Sequence, residues 1–499
     1  VLWLVLGTTA LRLLFAAGTG LGIDESYMVA AGRTLRLSYF DHPGMAWWLS
    51  RLAALLLGDE APIAVRLPFV ALFAVSTALM FLVTKRLFGD RAGFWACVAL
   101  NLSPVFSVTT GTWVLPDGPL TCALLAALYA LARALEPERP EADDRARPAV
   151  TARGSRGSWV WWGLAGLFAG LAMLSKYSAV LVLIGIVPYL VLTPRDRPWL
   201  RRPQPYVAAL ISLACCAPIL IWNATHDWAS FAFQGGRAAT HAPHPWGPLV
   251  TLAGEALFVG PWLWPPLMAL WLSALRHGPE RPKRWLLAWL GATPLVLFTV
   301  VSLWARHVLF HWAAPGYLML IPMLGAWAER IETTRPRLLA IGWRTGAAVI
   351  GVGVALLLIE ARVDLLARFG VDPGLQAVDW TPLRDQLVAR GLPGPGTVIA
   401  GLNWHDTGKL DYALGGSLPV LCFNSDARQY RFAAGAALRA GENVLLIAPP
   451  VEAGKLTAAA AGQFAAIEAL PPLRLRGRPM LMVLARNWQG GMDRELAGR

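Results

Sequence analysis

Residues 62–91 read PIAVRLPFVALFAVSTALMFLVTKRLFGDR, an apolar run to position 84 closed by Lys85-Arg86 and, after a short turn, Arg91. A helix needs about 20 mostly apolar residues to cross the bilayer core, and lysine and arginine gather at the cytoplasmic ends of spans. The stretch therefore reads as a transmembrane helix that exits on the cytoplasmic side. Similar runs fall near 1–18, 92–112, 118–135, 159–175, 177–193, 205–222, 249–275, 285–303, 313–328 and 345–361, which predicts about eleven spans. Several contain Pro or Gly, which neighbouring helices accommodate inside a bundle.

Composition agrees with this reading. Of 499 residues, 56% are hydrophobic and only 15% charged, with a mean hydropathy of +0.49. That excludes an ordinary soluble domain and fits a polytopic helical membrane protein. The 24 Trp suit the belts where amphipathic rings sit at headgroup level. A formal charge of +13 would suit a nucleic-acid binder, but the arginines fall largely in short loops between apolar runs. They read as topology signals, and no nucleic-acid partner is expected. Cys97, Cys122, Cys215, Cys216 and Cys422 offer neither a disulfide framework nor a CxxC metal site. The first apolar run carries Arg12 in its middle and is read as a retained span rather than a signal peptide.

The connectors alternate in character. Lys85 to Arg91, the arginine-rich stretch 133–156, Arg195 to Arg202, Arg276 to Arg284 and Arg330 to Arg344 form one basic set. The other set, 19–61, 113–117, Lys176, 223–248 and 304–312, holds acids, histidines and aromatics. The positive-inside rule makes the first set cytoplasmic and the second outer. The N-terminus is then inside, and an odd number of spans leaves the C-terminal region outside. Segment 136–158, rich in Pro, Glu, Asp and Arg, reads as a flexible cytoplasmic loop. From about Arg362 short buried-strand patterns appear at 396–401, 418–423 and 443–448, with helix-like stretches at 381–390 and 454–468. The expected fold class is thus mainly α: a membrane helical bundle over residues 1–361 and a small extracytoplasmic α/β domain over 362–499.

Topology gathers the unusual polar residues on the outer side. Loop 19–61 carries Asp24, Glu25, Tyr27, Tyr39, Asp41 and His42; the other outer connectors bring Asp117, Lys176-Tyr177, the stretch 222–228, Arg306-His307 and His311-Trp312. Acids beside a membrane are costly unless solvated or used, so they count as site candidates. Cations to hold a phosphate, aromatics to stack on a sugar and carboxylates for proton work suit a substrate that is part lipid and part polar. Plainer readings stand beside these. Asp24-Glu25 could cap a loop helix, Lys176 could snorkel, Arg306 could anchor its span, and His42, His307 and His311 could be structural hydrogen-bonders. His226, His241 and His244 lack helical ligand spacing for zinc. No P-loop, GxSxG or dinucleotide glycine motif stands in a convincing context.

The first span followed by Asp24-Glu25, and then Tyr39-Phe-Asp-His-Pro-Gly-Met-Ala-Trp-Trp, resembles the first outer loop of polyprenyl-phosphate-dependent GT-C glycosyltransferases. The branch is the one containing protein O-mannosyltransferases and the lipid A aminoarabinose transferase. Leu115-Pro-Asp117 resembles the second acid of that family, and Gly170 to Tyr177 its Gly-Leu-x-x-Leu-x-Lys-Tyr junction. Ile221 to Trp228 and Arg306 to Tyr317 are similar to its later outer-loop elements. The resemblance covers roughly residues 1–360, and Pro43-Gly44 stands where many relatives have Pro-Pro.

The resemblance implies a sugar donor on a long polyprenyl phosphate and a lipid or glycan acceptor met at the outer face, among membrane lipids. Transfer then needs a base near the acceptor hydroxyl and cations on the departing phosphate, and a single displacement inverts the sugar. On this reading Asp24 is the base, Glu25 orients it or binds acceptor, and Asp117 supports the base or the sugar. Lys176, Arg306 and His307 or His311 hold the phosphate, while Tyr39, His42 and Tyr177 line the substrate site. Whether the carboxylates also gather a divalent metal ion is left open. The rival readings are transfer to protein, a transporter or lipid flippase, and a passive membrane anchor. A transporter predicts ionisable groups near the midplane and repeated broken helices, and the apolar runs are poor in acids.

Overall fold

The computed structural model describes residues 1–136, 156–237, 242–305, 308–363, 378–433 and 438–489. Its helices are α1 (Leu2–Gly18), α2 (Ile23–Ala31), α3 (Met45–Leu57), α4 (Pro62–Phe88), α5 (Asp90–Asn101), α6 (Asp117–Leu135) and α7 (Arg156–Ser175). The short α8 (Ala179–Leu183) and α9 (Ile186–Leu192) follow, then α10 (Pro203–Cys215), α11 (Ala217–Ala224) and α12 (Ala229–Gly236). Next come α13 (Gly247–Val259), α14 (Trp264–His277), α15 (Pro282–Val301), α16 (Ala314–Thr334) and α17 (Pro336–Val363). The remainder alternates strand and helix: α18 (Pro382–Ala389), β1 (Thr397–Gly401), α19 (Trp404–Leu414), β2 (Val420–Cys422) and β3 (Asn443–Ala448). α20 (Ala453–Ala460), β4 (Phe464–Leu475) and β5 (Arg478–Trp488) complete it.

The chain forms two compact units. One comprises Val1–Phe15, His42–Ala46 and Leu67–Ala355; the other comprises Ala16–Asp41, Trp47–Arg66 and Leu356–Arg499. Most of the first outer loop, which the sequence reading assigned to the membrane domain, thus belongs to the same unit as the C-terminal sheet.

The first unit is a multi-pass helical bundle. Among the described residues five helices are long and apolar enough to cross a membrane, or up to eight if each bent pair counts as one span. The figure differs from eleven because several apolar runs are broken. α10 and α11 bend by 47° at Cys216, ahead of Pro218, and the run 249–275 is two helices, α13 and α14, turned by 114° after Gly260-Pro261. Proline removes a helix hydrogen bond and Gly260 sits at φ +113°, so the chain can turn sharply there. Polar groups brace the bend: Tyr317 Oη on α16 donates to Glu255 Oε2 on α13 (2.7 Å) and accepts from Trp264 Nε1 on α14 (2.8 Å). Glu255 is 1% exposed, so one apolar run does carry a buried acid. Close helix crossings use small residues, as membrane packing requires. A Cβ added to Gly325 on α16 would lie 2.3 Å from the Ala92 carbonyl oxygen on α5. The apolar window of α6 is 83% buried and that of α17 only 6%, so α6 is central and α17 peripheral.

In the second unit five strands order β2-β1-β3-β5-β4. β1 pairs parallel with β2 and β3, and the hairpin β4–β5 joins β3 antiparallel. One face buries Ile399, Leu445 and Ile447 with Leu383 and Leu410, the other Ala400, Leu446 and Val483 with Leu456. The expected strands and the helix at 381–390 are present. The stretch 454–468 is helix only to Ala460, and from Phe464 it pairs with β5 as strand β4. Hydrogen bonding to a neighbouring strand, invisible to local periodicity, decides that change.

Candidate active site

Two clusters hold the residues singled out in the sequence, one in each unit. In the bundle, α6 and α7 pack as neighbours, and the start of α6 lies beside the end of α7. That brings Asp117, in the first turn of α6, to Lys176, which immediately follows α7. Lys176 Nζ donates to both carboxylate oxygens of Asp117, at 2.9 and 3.0 Å. Each charge also suits its helix end, an acid at the N-terminus and a cation at the C-terminus. A π-helical turn, Val105–Thr110, precedes the Leu115-Pro-Asp-Gly turn, a departure from α geometry common near functional sites.

His42 and His311 lie within electrostatic reach of Asp117, and His311 also within reach of Lys176 and Arg237. His311 sits on the 3₁₀ turn Phe310–Ala313 that leads into α16. Tyr177 bonds Ser230 Oγ on α12 through its hydroxyl (2.6 Å) and stands edge-on to Phe231. The bundle therefore assembles a largely buried ion pair with two imidazoles within electrostatic reach of it. Arg237, not singled out in the sequence, lies 4.7 Å from the Trp312 ring centroid beside His311. Nothing in its local sequence marks it, because helix packing alone brings it there. Arg306 and His307 lie outside the described residues, as does His241.

In the second unit, Asp24 and Glu25 open α2. Successive helical residues point about 100° apart, so the two carboxylates diverge: Asp24 is exposed, while Glu25 is 2% exposed. Glu25 accepts from Arg66 Nε (2.7 Å) and Nη2 (2.6 Å) and, reaching back to the residue before the helix, from the Gly22 amide (2.8 Å). A carboxylate so engaged is placed to hold the turn rather than to move a proton. Tyr39 is fully buried and stacks on Trp47 at 4.1 Å. Its hydroxyl donates to the Thr34 carbonyl (3.2 Å) and accepts from the Arg36 amide (3.3 Å). This enclosure makes Tyr39 a packing residue and removes the geometric basis for its lining a sugar pocket. Asp41 likewise serves the unit's interior, accepting from Tyr27 Oη (3.1 Å) and Arg428 Nη1 (3.3 Å).

Among the described residues no group of three or more His, Cys, Asp or Glu side chains is placed to hold a metal ion. The buried candidate carboxylates already face cations, Glu25 toward Arg66 and Asp117 toward Lys176.

Parts of the sequence and the fold as a whole are similar to known proteins. The family described as dolichyl-phosphate-mannose-protein mannosyltransferase matches residues 41–142 and 149–222. Crystal structures of ArnT from Cupriavidus metallidurans share the fold. The apo form superposes with a TM-score of 0.68 at 16% identity, and the form bound to undecaprenyl phosphate with 0.65 at 17%. Each comparison covers 97% of both chains. No curated protein sequence matches. The chain therefore shares the fold of the ArnT structures, and residues 41–142 and 149–222 are similar to the mannosyltransferase family, in line with the resemblance read from the sequence.

Proposed function

We propose that the protein transfers a monosaccharide from a polyprenyl-phosphate donor to an envelope lipid or glycan, such as lipid A or lipopolysaccharide, on the periplasmic face of a bacterial inner membrane. The observation that carries this reading is the Asp117–Lys176 pair with His42 and His311 around it. An ammonium held by one carboxylate can turn to a phosphate when the donor arrives, and charge-assisted hydrogen bonds favour the departing phosphate anion. The ArnT structure with bound undecaprenyl phosphate supports a donor of that kind. The basic loops support an outward-facing reaction through the positive-inside rule.

In this reading Asp24 takes the proton of the acceptor hydroxyl. The acceptor oxygen bonds the anomeric carbon, and the carbon–oxygen bond to polyprenyl phosphate breaks with its electron pair leaving on the phosphate. One displacement inverts the anomeric centre, and a phosphate needs no strong acid to leave. Lys176, Arg306 and His307 or His311 meet the phosphate, Asp117 holds Lys176, and His42 and Tyr177 line the sugar site. Glu25 keeps the turn that presents Asp24.

The family description favours a second acceptor class, protein hydroxyls. Purified protein in vesicles, given a radiolabelled polyprenyl-phosphate sugar and envelope extract, separates these readings. Label in the lipid or lipopolysaccharide fraction supports the proposal, and label in protein supports the second acceptor. Movement of the donor across the vesicle without transfer would overturn both in favour of a transporter.

A further inference from the structure

The backbone between α1 and α2 has little reason to hold one shape. It contains Gly20 and Gly22 and follows Gly18 at the end of α1, whose last carbonyls lack helical partners. Two buried cations engage it. Arg66 Nη1 donates to the carbonyls of Ala16 (3.1 Å) and Thr19 (2.9 Å), and Nη2 to that of Gly20 (2.8 Å), besides its bonds to Glu25. The next carbonyl, Leu21, accepts from Lys409 Nζ, which also donates to the Val378 carbonyl at 3.0 Å. Lys409 belongs to α19 of the C-terminal sheet region and is 2% exposed. Its hydrogen bonds go to backbone, with Asp379 and Glu25 at longer electrostatic range. The approach is close: a Cβ added to the preceding Gly408 would lie 2.8 Å from Tyr27 Cα on α2.

A buried ammonium without a hydrogen-bonded carboxylate is expensive, and an apolar side chain of similar length would fill the space. Its contribution is therefore sought in what it holds, three residues before Asp24. We propose that Lys409 is a positioning residue for glycosyl transfer, fixing with Arg66 the turn that aims the Asp24 carboxylate. This rests on the reading of Asp24 as the base. It gives the C-terminal domain a part in the reaction through a contact inside its own unit.

The test compares full-length Lys409→Met, Lys409→Arg and Asp24→Asn proteins in membrane vesicles. A displaced reacting group costs on the order of 100-fold. Lys409→Met should lose kcat by about that factor with the donor KM unchanged and thermal melting retained, and Lys409→Arg should recover most of the loss. Should Lys409→Met not accumulate, Lys409→Gln, which keeps one donor, gives the same comparison. Full turnover in Lys409→Met beside an inactive Asp24→Asn would overturn the positioning role alone. So would a loss of kcat that tracks a loss of melting temperature, since that is general damage. Activity in Asp24→Asn would overturn the base itself, and the positioning role with it.

Discussion

Asp24 and Glu25 are adjacent in sequence and opposite in circumstance. Glu25 is buried in a bidentate pair with Arg66, whereas Asp24 stays exposed at the start of the same helix. A general base must reach its substrate, so of the two the proposal gives that role to Asp24. Asp24→Asn should lower transfer by at least about 100-fold while donor binding persists, checked by radiolabel transfer beside equilibrium binding of the polyprenyl phosphate. Glu25→Gln should act differently, lowering the melting temperature along with activity, because it leaves the buried Arg66 guanidinium short of its counter-charge. In the bundle, Lys176→Met should raise the donor KM about tenfold or more and leave the acceptor KM unchanged. A double-mutant cycle with Asp117→Asn should show strong coupling, since the two side chains share a largely buried bond. Independent effects would mean that the pair does not act together on the donor.

At the scale of elements, helix ends and helix crossings do most of the placing. The α6–α7 hairpin explains why an acid and a lysine about 60 residues apart meet: that two successive spans return both to the same side was legible, while their pairing was not. The contacts of Arg237 and Tyr317 were not, because they depend on how α12, α13 and α16 pack. Gly325→Val, placed where α16 meets the α5 backbone, should destabilise the bundle by about 1–3 kcal/mol, measured as a lower melting temperature in detergent. The C-terminal region offers a pH test. Burial lowers the Lys409 pKa from the usual 10.5 to about 8, with Asp379 and Glu25 opposing the shift. Between those values the unfolded chain binds more protons than the folded one, so stability rises with pH through that window. Melting followed from neutral pH to about pH 10 should therefore show a stabilising trend that disappears in Lys409→Met. An identical trend in both proteins would assign it to another group.

For the molecule as a whole, the orientation and the acceptor are the open proposals. Reporter fusions after Trp488 and within the basic loop 276–284 should report opposite sides of the membrane, the C-terminal one periplasmic; the same side for both would reverse the assignment of the loops. The sequence by itself determined that the chain is a polytopic helical protein, that an α/β region follows the bundle, and which charged residues would need explaining. Those are consequences of hydropathy, strand patterning and charge placement, which are local and additive along the chain. Local periodicity also misled where pairing decides: residues 464–468 look helical but join β5 as strand β4. Only the tertiary structure decided that Glu25 and Tyr39 are interior residues, that Asp117 meets Lys176, and that Lys409 reaches the turn before Asp24. Each of these depends on which long-range partner satisfies a buried charge or carbonyl, and that choice is made by packing rather than by the residues next in line.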